Sequence, residues 1–308
     1  LGIFTDPVHV NPKCFLEEQA ENPVISGSVT ESALSFRWAS SMVYATLRNP
    51  ILPRQGGFVT DTISFSEEQG IATLTFDNPS RRNALGAAEL DAIEGALASL
   101  SADTRVLLIT SSDDRIFCAG ADLNQILDGT LDGERFQSVT NQIAALPIPT
   151  IAVLTGNVFG GGAELALSCD FRLAREGIVL RIPAAAIGLC YPIEGIERLT
   201  RRLGPVLARR MLVAAETFSA EQMLSLNMVN AVHSADALRA EAEDYAQSLL
   251  ALAPMAVTSM LEIIGQLEAG ELDKDHARAL AEACSDSEDV QEGITAQREK
   301  RAPRFNNR

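Results

Sequence analysis

The six residues Ile71-Ala72-Thr73-Leu74-Thr75-Phe76 alternate broadly between apolar and polar side chains, the two-residue period of a strand with one buried face. Asp77-Asn78-Pro79-Ser80 then reads as a turn. Leu90, Ile93, Leu97 and Leu100 recur at helical spacing and predict an amphipathic helix over 86–100. Val106 to Thr110 is an apolar strand that runs into an Asp-rich turn. Phe136, Val139, Ile143 and Leu146 mark a second helix, stopped before Pro147 because proline disfavours helical backbone in the residue that precedes it. Thr150 to Leu154 reads as a buried strand, and Ala163 to Cys169 as a short apolar helix. Phe171 to Ala174 and Val179 to Ile182 are further short strands. After Pro192 the pattern is almost entirely helical, over 193–203, 205–214, 219–226, 235–252, 255–269, 274–283 and 286–301. Strands alternating with helices, followed by helices alone, predict an α/β core with a helical C-terminal part.

Residues 1–57 differ from this pattern. They carry prolines at 7, 12, 23, 50 and 53, the single Trp38, and weak periodicity. Asp6, Glu17, Glu18, Glu21 and Glu31 set the segment apart from an Arg-rich, acid-poor transit peptide. The chain therefore divides into an extension of unassigned role (1–57), a core (58–203) and a helical region (204–308).

Between the strand at 150–154 and the helix at 163–169 lies Asn157-Val158-Phe159-Gly160-Gly161-Gly162. Three glycines allow a sharp turn and close approach of a ligand to the main chain. The first N–H groups of a helix have no partner inside it, and the helix dipole favours negative charge there. The stretch thus suits either a tightly packed strand-to-helix turn or a seat for a developing oxyanion, with Glu164 one turn inside to act on protons. It lacks the Gly-Lys-Ser/Thr ending of a phosphate loop and the GxGxxG spacing of a dinucleotide fingerprint. Phe117-Cys118-Ala119-Gly120-Ala121-Asp122-Leu123 offers a second bend. Taken alone it reads as a turn; paired with the first, it can bring a second main-chain donor to the same thioester oxygen, an arrangement that stabilises an enolate.

The 308 residues are 46% hydrophobic and 21% charged, with a formal net charge of -16. An acidic surface argues against nucleic acid and anionic membranes as general partners, while local Arg and Lys leave room for an anionic small ligand. The five cysteines are scattered and form no CxxC pair, and the three histidines, at 9, 233 and 276, lie far apart. A metal site and a disulfide framework are therefore not expected, and a reducing, cytoplasmic setting is. No apolar run reaches membrane-spanning length.

Several ordered segments now resemble the crotonase (enoyl-CoA hydratase/isomerase) superfamily over roughly residues 60–308. They are Asn78-Pro79 with Arg82-Asn83-Ala84-Leu85, then Phe117 to Leu123, Gly160 to Asp170, Leu199-Thr200-Arg201 with Gly204, and the tail Glu292-Gly293 with Glu299 to Phe305. The resemblance implies a spiral of ββα units with a helical trimerisation region, assembled as a homotrimer or hexamer. It implies that Ala121 and Gly161 supply the two oxyanion N–H groups. It places coenzyme A, carried as part of the substrate with no separate cofactor, along Arg81, Arg82, Ala84 and Leu85 and along Ala119, Asp122 and Leu123, next to Gly160. Lys300, Arg301 and Phe305 would close over the nucleotide, either in the same subunit or from a neighbour. Ser80 stands where family members often carry Lys.

Hydration of an enoyl thioester needs two carboxylates to share activation of water and protonation of the α-carbon. In hydratases of the family the second glutamate lies twenty residues after the first; here that position is Ala184. Losing one acid–base group typically costs about 10²–10⁴ in rate, so efficient hydration is not expected unless Glu194 or another group substitutes. One carboxylate suffices to move a double bond, or where loss of CO2 drives enolate formation. Gly188-Leu189-Cys190-Tyr191-Pro192-Ile193-Glu194-Gly195-Ile196 is similar to the corresponding segment of methylmalonyl-CoA decarboxylases, and Tyr191 falls at their active-site tyrosine. That branch carries His where this chain has Ala121. The leading expectation is decarboxylation of a malonyl-type acyl-CoA (methylmalonyl or ethylmalonyl class), with Tyr191 orienting the carboxylate and Glu164 positioning substrate or assisting protonation. An enoyl-CoA isomerase or hydratase-like enzyme with Glu164 as sole acid–base group, action on a carrier-bound acyl thioester, and a non-catalytic acyl-CoA binder are the alternatives.

Overall fold

A computed structural model describes residues 60–306 of the chain, so the extension expected over 1–57 lies outside the described residues. The first strands, β1 (Ile63–Glu68) and β2 (Ile71–Phe76), form an antiparallel hairpin. The chain closes it through Gln69 and Gly70, both at positive φ, the left-handed backbone that two-residue hairpin turns require. A short strand β3 (Ala84–Leu85) and helix α1 (Ala87–Ala98) follow. The Glu89 side chain accepts the Gly86 N–H at 2.9 Å and so satisfies one of the donors left over at the start of α1.

From here the chain winds as a spiral. β4 (Val106–Ser111) is followed by β5 (Ile116–Cys118), the short β6 (Gly120–Ala121), α2 (Leu123–Asp128) and α3 (Gly133–Ala144). β7 (Thr150–Leu154), β8 (Asn157–Phe159) and α4 (Gly161–Ser168) make the next turn. β9 (Phe171–Arg175), β10 (Val179–Arg181) and α5 (Ile193–Ala208) make a third. Each turn gives one strand to each of two sheets and then a helix, the ββα spiral that the resemblance implies.

Two further strands lie in the part expected to be almost entirely helical, largely in the gaps between its expected helices. They are β11 (Thr217–Ser219), leading into α6 (Ala220–Ser225), and β12 (Ala231–His233), leading into α7 (Leu238–Leu250). One sheet runs β1-β2-β4-β7-β9-β12 and the other β11-β10-β8-β5. The sheets therefore extend past the boundary expected at 203. Each late strand is three residues long, too short for a two-residue period to show, and forms by pairing with a strand already in place. The helix expected over 193–214 in two pieces does break at Gly204, whose φ of 78° and ψ of 158° are non-helical.

The larger sheet is buried on both faces. Ala72, Leu74, Phe76, Leu107, Ile109, Ala152 and Leu154 enter the main core with α1, α3 and α4. Their sequence neighbours Ile71, Val106, Leu108, Ile151 and Val153 face the other way, against Leu238, Ala242 and Ala246 of α7. That double burial explains why the central strands read as continuous apolar runs. The chain ends in α8 (Pro254–Ala269), α9 (Lys274–Ser285) and α10 (Glu288–Glu299). These bury few side chains, and α8 leaves Met260, Ile264 and Leu267 exposed. Among the described residues, no single helix is long and apolar enough to cross a membrane.

Candidate active site

The site begins where β8 turns into α4. Gly160 holds φ 52° and ψ −126°, a conformation that only glycine adopts readily. Its N–H donates to the Arg181 carbonyl at 3.0 Å, and its own carbonyl accepts the Ala163 N–H at 3.0 Å. α4 starts at Gly161, two residues earlier than the sequence pattern indicates, because two further glycines let the helix fit against bulky neighbours. A Cβ on Gly161 would stand 2.5 Å from Phe136 Cζ, and one on Gly162 would stand 2.6 Å from the Cys118 carbonyl oxygen. As the first residue of α4, Gly161 has an N–H with no acceptor inside the helix.

The second bend is more than a turn. β6 pairs with β3 in parallel, with Leu85 opposite Ala121, and Asp122 then caps α2 by accepting the Asn124 N–H at 3.0 Å. Asn83 ties this loop down from a left-handed φ of 52°. Its amide donates to Ser111 Oγ, the Ile116 carbonyl and the Phe117 carbonyl, and its oxygen accepts the Asn78 N–H. The residue before Ala121 then touches the residue that opens α4, since a Cβ on Gly120 would lie 2.5 Å from the Gly161 nitrogen. The two donor loops expected from the sequence are thus in contact.

Glu164 lies one turn inside α4 and is 1% exposed. Arg198 Nη1, from α5, donates to its Oε1 at 2.9 Å. Gln137 Nε2, from α3, donates to its Oε2 at 3.1 Å. Arg198 is itself held by Thr140 Oγ1 at 2.8 Å and by Asn141 Oδ1. Burial pushes the Glu164 carboxyl above its ordinary pKa, against the opposing pull of Tyr191, the Arg198 charge and Gln137. Burial likewise lowers the Arg198 guanidinium, against the attraction of Glu164.

Tyr191 stands beside Glu164. A Cβ on the buried Gly195 would be 2.6 Å from Tyr191 Cε1 and 2.8 Å from Glu164 Oε2, so glycine is needed to let ring and carboxylate meet. The Tyr191 hydroxyl is buried and close enough to Glu164 to act on its carboxylate as a donor, yet among the described residues neither it nor the buried Gln137 Oε1 makes a hydrogen bond of ordinary geometry. The phenol is near enough to Glu164 that burial, and then the carboxylate charge, hold its pKa well above the usual range. It is therefore a neutral O–H, desolvated and poised to donate. Ala184 is buried, 6% exposed, and Glu194 is exposed on the first turn of α5. The buried Cys118 thiol is pushed up to about 12 by burial, which removes it as a nucleophile.

Of the residues expected along coenzyme A, Arg81 is paired with Asp122, so the cation is tethered rather than free. Arg82 and Leu123 are exposed, while Ala84, Ala119 and Ala121 are half-buried and Leu85 is buried in the core. Lys300 ends α10 in a left-handed conformation, and Phe305 packs over Gly293. There Phe305 lines a cavity of about 350 Å³ with residues of α8, α9 and α10. Arg301 pairs with Glu292 and Glu299. Gln137, Thr140 and Arg198 were not singled out from the sequence. A faint signal existed: Gln137 and Thr140 are polar residues among the core positions Phe136, Val139 and Ile143.

Known proteins resemble the chain over most of its length. A family model described as enoyl-CoA hydratase/isomerase matches residues 66–308. The chain is 36% identical over 253 residues to the mitochondrial enoyl-CoA hydratase domain-containing protein 2 of Mus musculus, covering 77% of this chain and 84% of that protein. It is 32% identical over 256 residues to the crotonyl-CoA hydratase of Syntrophomonas wolfei, covering 80% of this chain and 98% of the relative. A solved enoyl-CoA hydratase/carnithine racemase from Magnetospirillum magneticum superposes with a TM-score of 0.75 at 27% identity, over 81% of this chain and 97% of that one. Two glycine-built loops in contact, a buried glutamate one turn inside α4, and these likenesses over most of the length together place the chain in the enoyl-CoA hydratase/isomerase (crotonase) superfamily of acyl-CoA enzymes.

Proposed function

We propose that this acyl-CoA enzyme decarboxylates a malonyl-type thioester. The observation that carries the reading is the Tyr191 hydroxyl, buried against Glu164 and, among the described residues, in no hydrogen bond of ordinary geometry, in a chain with Ala184 at the sequence position of the second glutamate of the hydratases. The phenol would donate to the substrate carboxylate and turn its C–C bond perpendicular to the thioester plane. That bond then breaks, CO2 leaves, and the electron pair moves into the thioester carbonyl. The resulting enolate oxygen would accept the N–H groups of Gly161 and Ala121. A proton drawn from solvent completes the α-carbon, with Glu164 positioning the substrate or assisting that transfer. A neutral donor suits the task, because a strong ionic grip on the carboxylate would stabilise the ground state more than the transition state.

A second reading, an isomerase or hydratase-like enzyme with Glu164 as the acid–base group, is favoured by the relatives, several of which are named hydratases. Glu194 also lies near enough to influence the charge of Arg198. The deciding experiment incubates the full chain with methylmalonyl-CoA and ethylmalonyl-CoA and follows CO2, beside 2-enoyl- and 3-enoyl-CoA read by mass spectrometry. CO2 release that falls at least tenfold in Tyr191→Phe is the expected result. Turnover of enoyl thioesters alone would select the second reading.

A further inference from the structure

The acid–base group of the proposed reaction is bound to a cation that the reaction itself does not use. Arg198 reaches Glu164 from α5 at 2.9 Å and is clamped by Thr140 and Asn141 of α3. Its side chain is only 10% exposed. Both ends of the pair are thus taken from water, and neither can turn away to find another partner. We propose that Arg198 is a positioning residue that cancels the charge of Glu164, so that the pocket accepts an acyl group bearing its own carboxylate. The proposal rests on the decarboxylase reading and deepens it, since it names an anionic acyl group as the class the site is built to admit.

The physical case is one of charge balance. Two carboxylates brought close in a dry site repel strongly, and one of them must take up a proton before both can fit. With Arg198 locked to Glu164 the pair sums to about zero, and a third charge meets little net repulsion. The same lock keeps the guanidinium from seizing the substrate carboxylate, which is left to the neutral Tyr191 hydroxyl. Gln137 completes the arrangement. Its Nε2 donates to Glu164, so the carboxylate fixes which way the amide points. The remaining charged or titratable groups that bear on the pair are the Tyr191 phenol, which acts on both members, and Glu194 and Arg202 on α5, which act on Arg198; Cys118 from β5 bears on Tyr191 and is held neutral by burial. Arg202 donates to the Leu167 and Cys169 carbonyls at the end of α4 and pairs with Glu268, so it serves that helix end rather than Glu164.

The test is calorimetric binding of two thioesters of matched length, succinyl-CoA and butyryl-CoA, to the full chain between pH 6 and 8. Repeating each titration in buffers of different ionisation enthalpy counts the protons taken up. Wild type is expected to bind succinyl-CoA with flat affinity and no proton uptake. In Arg198→Met, succinyl-CoA binding should take up one proton and weaken by about tenfold per pH unit once Glu164 is ionised; butyryl-CoA binding should stay flat. Glu164→Gln, which leaves Arg198 uncompensated, should raise the preference for succinyl-CoA over butyryl-CoA several-fold relative to wild type. Proton uptake by wild type with succinyl-CoA, or an equal loss for both thioesters in Arg198→Met, overturns the proposal and leaves Arg198 a tie between helices. The wild-type measurement stands even where a variant does not fold. Absence of CO2 release from methylmalonyl-CoA alongside flat wild-type binding would sink the decarboxylase reading and not this one.

Discussion

Gly120 has no room for a side chain, because the amide nitrogen of Gly161 lies 2.5 Å from the point where its Cβ would stand. The two residues come from different turns of the spiral, one in β6 and one opening α4. Their contact sets the distance between the two loops whose amides are expected to grip the thioester oxygen. Gly120 also holds a φ of 89°, where an L side chain adds roughly 1–2 kcal/mol of strain. Gly120→Ala is therefore expected to displace Gly161, lower the melting temperature, and cut kcat by about 10²–10³, the usual cost of one misplaced oxyanion donor. Steady-state kinetics on whichever thioester turns over checks this, and full activity would show that the contact is incidental.

Gly195 has a comparable part on the other side of Glu164. A methyl there would stand 2.6 Å from the Tyr191 ring and 2.8 Å from the Glu164 carboxylate. Overpacking of this kind typically costs about 1–3 kcal/mol. Gly195→Ala should push ring and carboxylate apart, so CO2 release should fall about as far as in Tyr191→Phe. Combining the two substitutions should add little, since both disable one group. Additive losses would place Gly195 outside the reacting arrangement.

The pH dependence of stability follows from the direction of the Glu164 shift. Burial raises its pKa in the folded chain above the ordinary 4.5, so between those two values the folded state holds more protons than the unfolded one. Stability then falls as pH rises through that window. Asp170, also raised by burial, adds a slope of the same sign. Glu164→Gln should be less stable overall by about 3–5 kcal/mol, because Arg198 is left as an unpaired buried charge. Its stability should also fall less steeply with pH than that of wild type. Denaturant melts from pH 4.5 upward read both effects, and a slope unchanged by the substitution would contradict the raised carboxyl.

The last prediction concerns assembly. Met260, Ile264 and Leu267 are all more than half exposed on α8, and their spacing puts them on one helix face. A homotrimer or hexamer, as the resemblance implies, would cover that stripe. Sedimentation of the full chain is expected to give three or six copies, and Ile264→Glu to shift it toward smaller species. A wild-type monomer at micromolar concentration would rule the assembly out.

Local chemistry made much of this protein readable from its sequence. The alternation at 71–76 marks a strand with one face in the core, the apolar runs at 106–110 and 150–154 are strands because two buried faces demand continuous hydrophobicity, and Gly204 breaks its helix through its own backbone freedom. The glycines at 120 and 160–162 announced a close approach of main chain to something, while the resemblance to the family, not local chemistry, marked Ala184 as the place of a missing carboxylate. Other features exist only through the tertiary fold. β11 and β12 are three residues each and owe their conformation to partners 38 and 58 residues away in the chain, as in Leu180 with Phe218 and Leu173 with Ala231. Glu164 meets Arg198, Gln137 and Tyr191 because α3, α4 and α5 pack together, and no period in the sequence links those positions. Backbone conformation depends on near neighbours and is written locally; the charge and protonation of a buried group depend on whatever the fold brings beside it, and only the assembled structure decides them.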